Sequence, residues 1–183
     1  MRADDGDRRA ALLARKEAAL KRWPGKGDDF ESEMAAIARE LDSLARSLDH
    51  ADADPIDRLR AWCATGEAYL MVGARFALQC ATEAFRYAES AAVKAEADAR
   101  EMLQLKHQYG LALLKLGDDR SEQLANEAAN RLSTALQLAR KHMPVGVASI
   151  KFELFRAEHT ATTLRGSRRV PREPQHKRET EAA

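Results

Sequence analysis

The sequence predicts an all-α chain of about three and a half helical hairpins, seven helices in all. Three observations lead there. Aromatic residues make up only 5% of the 183 residues and glycine and proline are few, while alanine, leucine, arginine and glutamate dominate, so strands have little to be made from. The stretch GEAYLMVG, Gly66 to Gly73, returns 44 residues later as GLALLKLG, Gly110 to Gly117, which marks an internal repeat. After each of these stretches, apolar residues recur at intervals of three and four, the spacing of one buried helical face.

Taken in order, the first piece spans 11–54. Its second helix carries Phe30, Met34, Ile37, Leu41, Leu44 and Leu48 on one stripe, and PGKGDD, Pro24 to Asp29, makes its turn. Arg22 stands where the later pieces have glycine, as suits a terminal repeat that faces solvent on one side. The second piece, 55–98, opens on Asp54 as N-cap with Pro55 at the first helical position. Its first helix ends at Gly73, and its second carries Ala77, Cys80, Ala81, Ala84, Phe85 and Ala88.

The third piece, 99–142, repeats the design. Leu103 matches Leu59, Gly110 matches Gly66, and Gly117 matches Gly73; in the second helix Ala125, Ala128, Ala135 and Ala139 match Ala81, Ala84, Ala91 and Ala95. Asp118, Asp119 and Ser121 offer acceptors to the free N–H groups of that helix. No Gly or Pro lies between Ala74 and Tyr109, so the break near Lys94–Asp98 rests on the period alone, and one unbroken helix is the alternative. Met143-Pro144-Val145-Gly146 breaks the chain again. A capping helix over 144–165 follows, with Val147, Ile150, Leu154, Ala157, Ala161 and Leu164 in one seam. The helical domain is expected at 8–165, and 166–183, with two prolines and mixed charge, as a disordered tail.

Glycine costs a helix interior about 0.5–1 kcal/mol relative to alanine, so a pair seven residues apart, used twice, needs a reason. The second glycine, Gly73 or Gly117, suits a left-handed C-cap. The first, Gly66 or Gly110, suits a seat where a neighbouring helix comes too close for a Cβ.

The totals exclude some function classes. Thirty Lys and Arg against 29 Asp and Glu leave a net charge of +1, which argues against a broad footprint for nucleic acid or an acidic membrane. The start lacks the apolar core of a secretory signal, and no run of about 18 apolar residues exists, so a cytoplasmic protein is expected. Cys63 and Cys80 form no CxxC pair and read as two small buried hydrophobes.

Chemistry-bearing patterns are weak. Histidines 50, 107, 142, 159 and 176 make no pair that puts two metal ligands on one helical face, and only His107 and His159 have a chance to meet across helices. Asp49, Asp52 and Asp54 lack the glycine and distal glutamate of a calcium loop, and Pro24 to Gly27 lacks the strand and the Lys-Ser/Thr of a phosphate loop. No catalytic constellation, metal or cofactor is expected.

Trp62-Cys-Ala-Thr-Gly66-Glu-Ala-Tyr69 follows the W-x-x-L-G-x-x-Y signature with threonine for leucine, and Ala81, Phe85 and Ala88 follow small, large and small. This pattern resembles the tetratricopeptide repeat. It covers 55–142 well and 11–54 and 143–165 loosely. The period of 44 rather than about 34 is similar to the long repeat of the kinesin-light-chain type, or to HEAT-like pairs. The resemblance implies a right-handed superhelix whose first helices line a concave groove where a peptide or helix of another protein lies. Carried over by position, the groove residues are Arg60, Cys63, Glu67, Leu70 and Met71, then Gln104, His107, Leu111, Leu114 and Lys115, then Lys151, Phe155, Glu158 and His159. Cys63, Glu67, His107 and Leu111 stand where a carboxylate clamp needs lysines and asparagines, so that mode is not expected.

The functional expectation is a protein-interaction module, adaptor-, regulator- or chaperone-like. The alternative is a structural protein that self-associates. Phe152 and Phe155 lie off the seam of the last helix; packing against the third hairpin is favoured for them, and a homodimer contact is the second choice.

Overall fold

The structure, a computed structural model, describes residues 3–22, 27–117, 120–144 and 146–167. Among these residues it is all helical, with seven helices: α1 (Ala3–Arg22), α2 (Asp28–His50), α3 (Pro55–Val72), α4 (Arg75–Lys94), α5 (Ala99–Gly117), α6 (Glu122–His142) and α7 (Val147–Ser167). The turn residues Pro24 to Lys26, the acceptors Asp118 and Asp119, and all of the tail after Ser167 lie outside the described residues. Gly166 and Ser167, expected in the tail, still belong to α7.

Each helix packs on the next, and the first helices also touch one another: α1 meets α3, α3 meets α5, and α5 meets α7. Between them α2, α4 and α6 each bridge the first helix before and the first helix after.

The helix ends follow local chemistry. The Asp54 carboxylate accepts from the Ile56 N–H at 2.9 Å, and Pro55 opens α3, where its missing donor has no consequence. Gly73 ends α3 in the left-handed region, at φ 77°. The break between α4 and α5 is present. The Asp98 carboxylate caps α5 by accepting from the N–H groups of Arg100 and Glu101, both at 2.8 Å. Just before it, Glu96 is left-handed at φ 48° and the Ala97 N–H reaches back to the Ala92 carbonyl at 3.1 Å. The same closure ends α2: Asp52 has φ 47° and the Ala53 N–H donates to the Leu48 carbonyl at 3.0 Å. These are two Schellman turns on acidic residues 44 apart.

Gly117 corrects the expectation of a second left-handed cap. It is the last helical residue of α5 and has no positive φ. A Cβ there meets the Leu124 Cβ at 3.3 Å, so its role is close approach rather than backbone freedom.

Gly66 and Gly110 are close-packing seats. A Cβ on Gly66 falls 2.6 Å from the Phe85 ring, and one on Gly110 falls 2.7 Å from Leu132 Cγ. Phe85 and Leu132 are each the eleventh residue of their helices, α4 and α6. The second helices therefore correspond at an offset of 47, not 44: Ala81 with Ala128, Phe85 with Leu132, Ala88 with Ala135 and Ala92 with Ala139, all buried. The helix α5, at 19 residues, is one longer than α3 at 18, and the link from α5 to α6 is longer than the two residues that join α3 to α4; together these move the register.

The core runs through the stack. Its main cluster spans α1 to α6 and reaches Ala157 on α7, and a smaller cluster joins Leu103, Ala135, Leu136, Ala139 and Ile150. Leu154 packs against both. One seat recurs on the first helices at spacing 44. Trp62 of α3 donates its indole N–H to Asp49 of α2 at 2.9 Å and stacks on Tyr87 with centroids 4.8 Å apart. Lys106 of α5 pairs with Glu89 of α4, which also holds Arg131 at 3.1 Å. Ile150 of α7 shares the smaller cluster with Leu136 of α6.

Candidate interaction face of the first helices

The first helices are tied together by a row of polar contacts. Arg9 of α1 pairs with Asp57 of α3 at 3.1 Å. Glu67 of α3 grips two helices at once: Oε2 accepts from Lys16 Nζ of α1 at 2.9 Å, and Oε1 accepts from Gln104 Nε2 of α5 at 2.6 Å. Arg60 of α3 pairs with Glu101 of α5 at 3.0 Å. Further on, His107 Nε2 of α5 lies 2.6 Å from Glu153 Oε2 of α7, whose other oxygen accepts from the Ser149 hydroxyl at 3.3 Å. The Lys16 and Glu67 side chains are only 10% and 17% exposed, so that pair is screened less than the Arg60 pair at the rim.

Under this row lies a cleft of about 250 Å³ between α1, α3 and α5. Leu13, Leu59, Cys63 and Ala64 supply apolar walls, while Arg60, Glu67, Glu101 and Gln104 supply the polar lining. Burial first, then the nearby Glu67 and Glu101 carboxylates, push the Cys63 thiol up to about 12. At neutral pH Cys63 is a protonated, weakly polar wall rather than a thiolate nucleophile.

Of the groove residues expected from sequence, Arg60, Cys63, Glu67 and Gln104 come together in this cleft. His107 is engaged with Glu153 instead. Leu70 and Leu114 are buried in the core, which corrects their assignment as accessible anchors. Met71 and Leu111 are partly buried against the same core, and Lys115 is exposed.

On α7, Lys151, Phe155, Glu158 and His159 are all exposed, apart from the cleft. Phe152 and Phe155 are each 63% exposed, so the expected packing of these rings against the third hairpin is not found. His159 stacks on Phe155, centroids 5.9 Å apart, and does not converge with His107.

Sequence reasoning missed Leu13, Lys16, Glu101 and Glu153. The first two lie on α1, where the repeat pattern is lost. A usable signal existed for Glu101, the residue 44 after Asp57, which ties α3 to α1 as Glu101 ties α5 to α3, and for Lys16, the residue 44 before Arg60.

Among the described residues no group of acidic, His and Cys side chains is placed to hold a metal ion, and no helix is long and apolar enough to cross a membrane. Compared with protein-family models, with curated proteins and with solved structures, the chain matches none of them.

Proposed function

We propose that this chain is a protein-interaction module of the tetratricopeptide-like kind, whose first helices receive an apolar side chain of a partner's peptide or helix in the cleft between α1, α3 and α5. One observation carries the reading: three helices far apart in sequence jointly wall a cleft whose apolar lining lies beside polar groups. The apolar walls supply the affinity, as buried anchors do at interfaces. The polar groups already satisfy one another, Arg60 with Glu101 and Glu67 with Lys16 and Gln104, so an incoming chain gains little from them and is selected by orientation and charge. The paired close-packing glycines, each met by the eleventh residue of the following helix, support the repeat reading.

The test is selection of displayed peptides on the folded chain. Enriched ligands are expected to share one aliphatic or aromatic side chain. Their affinity should fall about tenfold with Cys63→Leu, which fills the cleft, and with Gln104→Trp at its exposed edge, while the helical circular dichroism is unchanged. Selection without such an anchor, or binding indifferent to both substitutions, overturns the proposal.

A further inference from the structure

We propose that the outer face of α7 is a self-docking surface which joins two copies of the chain as an antiparallel helix pair. Ala148, Phe152, Phe155, His159 and Thr162 alternate by four and three, the seam spacing that two packed helices share. All five are exposed, whereas Ile150, Ala157 and Ala161 on the other side are buried against the body. A helix that only ends a stack needs a polar outer side, and this one carries two phenylalanines there.

The pattern fits its own copy. A two-fold axis between Phe152 and Phe155 lays each Phe152 on the partner's Phe155 and each His159 on the partner's Ala148. Lys151 and Glu158 share one flank of the seam, each just before a seam residue, so the antiparallel pair brings each Lys151 beside the partner's Glu158. On the other flank Arg156 falls opposite the partner's Ser149. Charge rejects the alternatives: a parallel pair sets Lys151 beside the partner's Arg156, and a slip of one heptad sets Glu158 against the partner's Glu158. The stretch after Ser167 carries one branched aliphatic side chain, Val170, and two prolines, so a second copy fits the face better than that stretch does.

Light scattering and sedimentation of the full chain over a concentration series test this independently of the cleft. The wild-type mass should rise toward twice that of the monomer. Phe152→Asp with Phe155→Asp should give a monomer of unchanged helical content. Lys151→Glu or Glu158→Lys alone should weaken association about tenfold, and the two together should restore it. A wild type that stays monomeric, a dimer that survives the phenylalanine substitutions, single charge changes without effect, or a double charge swap no better than either single one overturns the proposal.

Discussion

The junction of α2 with α3 and the junction of α4 with α5 use the same seat for opposite chemistry. At the first, Trp62 is a fully buried ring with one hydrogen bond to Asp49 and a stacking partner in Tyr87. At the second, Lys106 is an ion whose side chain is 16% exposed, held by Glu89. A buried aromatic stabilises through its area, while a half-buried ion pair must first offset the loss of water around two charges. The α4–α5 junction is accordingly the more loosely packed of the two. At a third junction the seat is apolar again, Ile150 with Leu136. The helical period fixes where a side chain must fill the gap between hairpins, and the neighbouring helix decides its chemistry.

The largest effect should come from the aromatic seat. Trp62→Ala is expected to destabilise the chain by about 3–5 kcal/mol in urea unfolding, since it removes a buried ring and leaves a cavity. A loss under about 1 kcal/mol means that the ring does not hold the first junction.

Next comes the ionic seat. Glu89→Gln strips both Lys106 and Arg131 of a carboxylate, and the expected loss is about 2–3 kcal/mol, below the fully buried case because both cations keep some solvent. Replacing the pair by Lys106→Met with Glu89→Leu imitates the third junction and should recover part of that loss, the remainder reporting Arg131, which keeps Glu127 at 3.7 Å. If the apolar pair unfolds the chain, the seat needs charge for a reason that packing does not supply.

The smallest effect separates the two glycine seats. Gly66→Ala and Gly110→Ala each gain about 1 kcal/mol of helix propensity and lose about 1–3 kcal/mol to overpacking. Gly66→Ala should be the worse, because its Cβ meets three atoms of one rigid, fully buried Phe85 ring. Equal midpoints in thermal unfolding would show that Leu132 yields no more easily than Phe85.

Much of the fold was legible because hydrophobic spacing and punctuation are local. The helix stripes and the cap at Asp54 follow from short stretches, whereas the break before Ala99 follows from the 44-residue period alone. The register of α6 was not, since alanines spaced by three and four match each other at 44 as readily as at 47. Only the large residues that meet Gly66 and Gly110 fix the choice, and their pairing is a contact between helices. The left-handed turns at Asp52 and Glu96 escaped for another reason: that conformation is read from glycine, and here acidic residues adopt it. Of the candidate site, Arg60, Cys63, Glu67 and Gln104 were found by position. Lys16 and Leu13 were not, because α1 lacks the glycine that anchors the register, although Lys16 stands 44 residues before Arg60. Exposure of Phe155 depends on what is missing beside it, which no local pattern records.

Glu67 makes α1 a listener. Its carboxylate holds Lys16 with one oxygen and Gln104 with the other, so a visitor presenting a cation or an amide to that carboxylate displaces one hand of a clasp that keeps α1 against α3. Arg9 with Asp57, Arg15 with Glu40, Arg22 with Glu33 and the buried Leu12 and Ala19 then remain to hold α1 in place. Hydrogen exchange along α1 would therefore report events in the cleft from outside it.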